Sequence, residues 1–333
     1  MGYAQVYATV GELIKDLGLS GDEEGLLDRI REASNLVQNK LGEFVPVTGT
    51  RSFAARFAGK LEIDPCVAVT AITNGGTLLA VSDYTPYPLN RHWLNGPYSF
   101  LYSDTVSWSQ TAVLVEGRWG KYEAQAQPDV STVSQASSTQ RSLTVSNGSQ
   151  VAPGMVLLIE NEQELVTSGN GGMDSPDPTL ATSLLNATIG SEDEEITVDN
   201  GAEFCRGEVV RVGTEDVYIR RIVSNVLVCA RGWNGTTKAP HSDNTPLYVY
   251  RTFGVERGVN GTSAALHAGA TLLRLTAPED VNWLTRQVAG LMRMKAKAGF
   301  ASKSGSAELG ETFYYSEFPT AFKRLAEFYR IGV

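Results

Sequence analysis

Near both ends of the chain apolar residues recur at helical spacing, and between the ends they alternate with polar ones at the shorter period of strands. Leu26, Leu27, Ile30, Ala33, Val37 and Leu41 make one apolar stripe, which has to be buried inside the fold or against a neighbour. A shorter helix is expected upstream. Thr9 with Glu12, and Ser20 with Glu23, have capping-box spacing, in which the hydroxyl accepts from an orphan amide and the carboxylate reaches back to the cap. Gly18 and Gly42 supply the stops. Toward the C-terminus, Pro278 stands at a first helical position, and Glu279 and Asp280 suit the positive end of the helix dipole. Val281, Leu284, Val288, Leu291 and Met292 then line one face as far as Gly299. A strand over 311–315 and a last helix from Pro319, carrying Phe322, Leu325, Phe328 and Tyr329, are expected to close the chain.

Segments 53–57, 61–63, 67–72, 78–81 and 113–115 read as short strands, parted by turn signals at Asp64-Pro65, Asn74-Gly75-Gly76 and Gly96-Pro97. Tyr84, Tyr87, Trp93, Tyr98, Phe100, Tyr102 and Trp108 crowd one stretch and form either a lid on a core or an interface. Residues 125–140, rich in Ser, Thr, Gln and Ala, read as a linker, and 169–178 as a flexible connection. Val209 with Arg211, and Val217 with Ile219, suit strands with one buried face.

Two patterns occur twice. Leu143-Thr-Val-Ser-Asn-Gly148 with Gly154, Val156, Ile159 and Glu162 recurs 53 positions later as Ile196-Thr-Val-Asp-Asn-Gly201 with Gly207, Val209, Val212 and Glu215. Arg231-Gly-Trp-Asn-Gly-Thr236 with Ala239, His241, Thr245 and Leu247 recurs 26 positions later as Arg257-Gly-Val-Asn-Gly-Thr262 with Ala265, His267, Thr271 and Leu273. The order is first, first, second, second. If a unit needs one copy of each pattern, the inner copies form one compact β module and the outer copies form another that encloses it; two copies are too few for a solenoid.

The net charge of −9 argues against wrapping nucleic acid, which draws on clustered Lys and Arg. Charge is uneven, with Arg286, Arg293, Lys295, Lys297 and Lys303 in a stretch without acids and an acidic run at 192–195. The start of the chain lacks the basic and apolar regions of a signal peptide, and no apolar run is long enough to span a bilayer, so synthesis in the cytosol without a membrane partner is expected. Cys66, Cys205 and Cys229 have no metal-binding spacing and read as buried thiols. Chemistry-bearing motifs are sparse: the sequence has no nucleophile elbow, phosphate-binding loop, zinc-protease helix or EF-hand loop. His241 and His267 occupy equivalent repeat positions. With Arg231, Asn234, Gly235, Arg257, Asn260 and Gly261 they read as repeated structural turns, the alternatives being ligand recognition or one catalytic or metal histidine per module. No cofactor and no enzymatic activity are expected. A glycosidase would need Glu162 and Glu215 within about 10 Å of each other.

The ends of the chain resemble the head-to-tail connector, or adaptor, proteins of long-tailed bacteriophages. The similar stretches are Tyr7-Ala-Thr-Val-Gly-Glu-Leu-Ile-Lys-Asp-Leu-Gly-Leu19 with Leu26-Leu27-Asp-Arg-Ile30, then Leu61-Glu-Ile-Asp-Pro65, Val67-Ala-Val-Thr-Ala-Ile72, Asp83-Tyr84 and Val115-Glu-Gly-Arg-Trp-Gly120. Ala277-Pro-Glu-Asp-Val281, Glu308-Leu-Gly-Glu-Thr-Phe-Tyr-Tyr315 and the segment from Leu325 to Tyr329-Arg330 complete the match, which covers about half the chain. The resemblance implies an α+β protein: a helical connector core, made of an N-terminal hairpin and C-terminal helices with a small β part, interrupted by a nested pair of β modules. Its parts are residues 1–125, the insertion 126–275 (142–168 with 253–275 outside, 195–250 inside) and 276–333.

It further implies a structural virion protein at the neck between head and tail. Such adaptors form a ring, usually of about twelve subunits, under the portal protein, with a tail-side stopper or tail terminator below and DNA passing through the lumen. By this likeness Phe313, Tyr314, Tyr315, Phe318, Phe322, Phe328 and Tyr329 are expected as docking contacts to the portal or a neighbouring subunit. Arg286, Arg293, Lys295 and Lys297 would face DNA or an acidic partner. The insertion has no counterpart in the family and is expected to project outward. The competing expectation is another tail, baseplate or neck-fibre protein, or a carbohydrate-binding β module carried on such a part.

Overall fold

The computed structural model describes residues 4–19, 25–90, 96–122, 126–172 and 174–297, with 303–304, 312–313, 323–324 and 327 beyond them. Helix α1 (Val10–Leu17) begins at the Thr9 capping box, where Thr9 Oγ1 accepts from Glu12 N and Glu12 Oε2 accepts from Thr9 N. It stops at Gly18, which takes a left-handed φ of 61°. Helix α2 (Leu26–Leu41) ends at Gly42 and is entered from Gly25; Ser20 and Glu23 lie outside the described residues.

Six strands follow: β1 (Val47–Phe53), β2 (Lys60–Asn74), β3 (Thr77–Leu78), β4 (Thr85–Tyr87), β5 (Tyr98–Tyr102) and β6 (Val113–Trp119). They form one antiparallel sheet in the order β1-β6-β2-β5-β4, with β3 turned back on β2 by Asn74-Gly75-Gly76. Asp64-Pro65 is no turn. It lies inside β2, at the irregularity where that strand changes partner from β5 to β6, and there a proline's missing N–H breaks no ladder. The first strand occupies Val47–Phe53 and ends where 53–57 was expected to begin, and 78–81 contributes only Leu78 to a strand before a short 3-10 turn. Trp119 anchors the sheet: it is fully buried and donates from Nε1 to Gly49 O at 2.7 Å. Of the aromatic group, Tyr84 and Trp108 are buried, Tyr87 stacks on Phe100 at 5.1 Å near the surface, and Trp93 is outside the described residues.

The chain then builds β7 (Ala126–Gln135), β8 (Ser142–Val145), β9 (Val156–Ile159) and β10 (Glu162–Ser168). Next come β11 (Thr179–Leu184), β12 (Glu195–Thr197), β13 (Val209–Val212), β14 (Glu215–Val223), β15 (Val226–Trp233) and β16 (Pro246–Val249). The strands β17 (Thr252–Glu256) and β18 (His267–Leu275) follow. β7 to β10 close with β17 and β18 into a barrel in the order β10-β17-β8-β7-β18-β9. The expected linker at 125–140 is therefore mostly strand, held by pairing with β18 along most of its length. β11 to β16 form the order β11-β16-β13-β14-β15-β12. Replacing each strand by its equivalent in the repeat turns this order into that of the barrel, opened between the counterparts of β7 and β8. Even there a bridge between Leu185 and Val198, flanked by Asn186 N to Thr197 O (2.9 Å) and Asp199 N to Leu184 O (3.0 Å), holds the ends together. One barrel is thus inserted into a loop of another. Equivalent glycines fix the close approaches: a Cβ on Gly148 would lie 2.2 Å from Tyr250 O, and one on Gly201 2.0 Å from Ser224 O.

Helix α3 (Glu279–Lys297) follows, then β19 (Lys303–Ser304) paired with β20 (Thr312–Phe313). The α2 stripe is buried in a core shared with Val281, Leu284, Val288 and Ala289 of α3 and with Val156, Leu165, Val259 and Leu275 of the outer barrel. The expected helical core with a small β part does not hold: among the described residues strand makes up 40% and helix 19%. The physical reason is that the helices cannot cover one another's apolar faces alone, so they form a layer on a barrel, and that barrel is part of the body.

Candidate functional site

Each barrel contains one buried cluster of a carboxylate, an arginine and a histidine. In the inner barrel Glu215 leads β14 and Arg231 lies near the end of β15, and in the outer barrel Glu162 leads β10 and Arg257 follows β17. Glu215 Oε1 accepts from Arg231 Nε and Gly232 N, both at 2.8 Å. Its Oε2 accepts from Arg231 Nη2 (2.7 Å), Ala239 N (3.1 Å) and His241 Nε2 (3.0 Å). Glu162 repeats the set with Arg257 Nε (2.7 Å), Gly258 N (3.0 Å), Arg257 Nη2 (2.7 Å), Ala265 N (2.8 Å) and His267 Nε2 (2.9 Å).

The guanidinium donors are used just as completely. Arg231 also donates to the carbonyls of Gly190, Asp193 and Ala239, and Arg257 to those of Ser137, Gln140 and Ala265, so all five N–H groups of each arginine are satisfied. Gly190 and Asp193 stand 53 positions after Ser137 and Gln140, so the repeat extends upstream of its recognisable residues into backbone contacts. The turn between arginine and histidine is the same in both, with Asn234 at φ 53° and Gly235 at 73°, Asn260 at 54° and Gly261 at 80°.

Burial alone would raise these carboxyl pKa values. The hydrogen bonds from Arg257, Ala265 and His267 outweigh it for Glu162, and those from Arg231, His241, Ala239 and Gly232 for Glu215, holding each down to about 2. A carboxylate so saturated with donors has no lone pair to offer a substrate. Its chemistry is that of a latch, tying strand ends and the loops beside them to one ion pair.

The outer barrel carries an additional carboxyl. Glu164 is fully buried where the inner barrel has Val217. Its Oε2 accepts from Gln135 Nε2 at 3.0 Å. Its Oε1 lies 2.7 Å from Arg257 Nε, whose single hydrogen is directed at Glu162, so Oε1 is in ionic contact but receives no hydrogen bond. Burial pushes the Glu164 carboxyl up to about 7 against the pull of Arg257. Ligand atoms of Glu162, Glu164 and His267 lie within 4.8 Å of one another, a spacing that suits a metal ion. Arg257 already supplies the positive charge among them, and Glu162 has no free acceptor, so these residues fit a guanidinium and not a metal. His267 Nδ1 meets Glu160 Oε2 at 3.1 Å, a contact the inner barrel lacks because Gly213 stands there.

The sign of the Glu164 effect follows from its raised pKa. The folded state keeps this carboxyl neutral above the ordinary value near 4.3 of an unfolded glutamate, so stability falls as pH rises from about 4 to 7 and then levels off. Glu164→Gln is expected to raise stability at about pH 8.5 by up to about 3 kcal/mol and to change it little at about pH 4. Urea unfolding of both proteins at the two pH values measures this.

A third charged cluster joins the barrels. Arg251, between β16 and β17, donates to both oxygens of the buried Glu208 at 2.7 and 3.0 Å. Glu208 also accepts from Gly148 N of the outer barrel (3.0 Å) and Cys205 N of the inner (2.7 Å). Neither residue is doubled in the repeats, and sequence reasoning missed both, as it missed Glu164 and Gln135.

Of the expected basic surface, Arg286 is ion-paired with Asp16 and with Glu279 and bonds Asn282, Arg293 lies half-buried on α3, and the side chains of Lys295 and Lys297 are outside the described set. Phe313 is placed in β20; Tyr314, Tyr315, Phe318, Phe322, Phe328 and Tyr329 lie outside the described residues. The acidic run is met by Lys238 at Glu192 and Arg220 at Glu194. No protein-family model, curated protein or solved structure matches this chain.

Proposed function

We propose that the protein is a structural component of a phage particle: a ring adaptor between the portal and the tail-side stopper or terminator, with DNA passing through its lumen and the inner barrel facing outward. One observation carries the reading. The helical stretches that bear part of the likeness to connectors, 7–19 with 26–30 and the start of α3 at 277–281, lie in one apolar core with residues of the outer barrel, although both barrels lie between them in sequence. An insertion of that kind leaves the ends of the host body together, which is what an elaborated connector requires. The charged clusters add support, because the carboxylates of Glu162, Glu215 and Glu208 are satisfied by arginine and backbone partners, as suits a part that bears load. The net charge of −9 favours a conduit that repels phosphate. Quantitative mass spectrometry of purified particles tests the stoichiometry: the chain is expected in the same copy number as the portal, about twelve. A copy number like that of a capsid or tail-tube subunit contradicts the adaptor reading.

A further inference from the structure

The turn at 257–262 docks the outer barrel onto the rest of the body, and the turn at 231–236 presents the same face with part of it uncovered. In the outer barrel Asn260, 1% exposed, grips the N-terminal segment as a second backbone would: Nδ2 donates to Ala4 O (3.0 Å) and Oδ1 accepts from Ala4 N (2.8 Å). Its carbonyl accepts from Thr48 N at 2.8 Å, on the outer edge of β1. Val259 and Leu165 beside it are buried in the body's core.

The inner barrel repeats the internal bonds of this turn. Thr236 donates from N and Oγ1 to Trp233 O, and Asp216 N donates to Thr236 Oγ1, as Thr262, Val259 and Gln163 do in the outer barrel. The outward side differs. Trp233 replaces Val259 and Tyr218 replaces Leu165; their rings stack at 4.7 Å and Trp233 stays 37% exposed. Asn234 Nδ2 donates to Asn170 O (2.8 Å) and Asp216 Oδ2 (3.1 Å). Its Oδ1 and its carbonyl, whose counterparts take Ala4 N and Thr48 N, have no hydrogen-bond partner among the described residues.

We infer that this face of the inner barrel, built on Trp233, Asn234 and Tyr218, docks the extended edge of a strand from a partner protein. The strand offers a backbone N–H to the open carbonyl of Asn234, as Thr48 of β1 does to that of Asn260, and lays an apolar side chain on the Trp233 ring. The precedent is intramolecular: the equivalent carbonyl holds the start of β1, while the equivalent Oδ1 holds a separate N-terminal segment. A second copy of this chain is the poorer occupant, because Ala4 and Thr48 of that copy are already held by its own Asn260. The inference does not depend on the virion reading.

The probe is a fluorescein-labelled peptide of residues 45–53, the edge that the outer barrel accepts, titrated into the full chain and followed by anisotropy. Saturable binding is expected, with the Trp233 indole N–H resonance shifting in step. Trp233→Val, which installs the outer-barrel residue and whose fold is checked by circular dichroism, is expected to weaken binding about tenfold or more. Absence of binding at millimolar peptide, or equal binding by the variant, overturns the proposal. A Trp233 shift produced by an oligosaccharide panel and not by the peptide overturns it in favour of a glycan site. Self-association abolished by Trp233→Val overturns it in favour of a second copy.

Discussion

Glu215→Ala is expected to cost about 3–5 kcal/mol of stability, the range for removing one partner of a buried ion pair, and Glu162→Ala less, because Glu164 stays beside Arg257. Arg231 is left with a side chain 1% exposed, a full charge and no counter-ion, and Gly232 N, Ala239 N and His241 Nε2 lose their acceptor at the same time. Urea unfolding measures the loss, and a change below about 1 kcal/mol would mean that the latch is not what holds the strand ends. The pH dependence has a definite sign. With folded carboxyls at about 2 and an unfolded value near 4.3, the contribution is complete above about pH 5 and is lost as pH falls toward 2. The two latches together should give the wild type an acid transition that the double alanine variant lacks.

Excision of the inner barrel should leave the rest folded. Ser168 of β10 and Gly254 of β17 are register partners, so the ends left by removing 170–251 lie one strand spacing apart and an Asn-Gly turn can join them. The outer latch, the core shared with the helices and the barrel ladders all lie outside the excised segment. The inner barrel has a separate apolar core and its own latch, so 177–250 should also fold alone. Calorimetry of the three proteins decides the matter: the excised chain and the isolated barrel should each unfold cooperatively. An excised chain without a thermal transition would show that the barrels form one cooperative unit.

Much of this site was legible because it is doubled. The repeats marked Glu162, Glu215, both arginines and both histidines, and their order, first-first-second-second, paired the right carboxylate with the right arginine. What was not legible has no side-chain signature or no second copy. The carbonyls of Ser137, Gln140, Gly190 and Asp193 complete the arginine shells through backbone alone. Glu164 and Glu208 occur once, and only tertiary packing makes them buried charges. The helices dominated the reading of fold class because capping boxes and apolar stripes are strong local signals, whereas a barrel strand such as β7, rich in Ser, Thr and Gln, owes its conformation to its neighbours. Pro65 was misleading for a related reason: whether a proline ends a strand depends on whether a ladder needs its N–H, and that is decided by β5 and β6.

Immunogold labelling tests the proposed place in the particle directly. An antibody raised against residues 177–250 is applied to intact particles and located by electron microscopy. Gold confined to the neck between head and tail is the result expected of an adaptor whose inner barrel faces outward. Gold on the tail tip, the tail shaft or the capsid faces would contradict it.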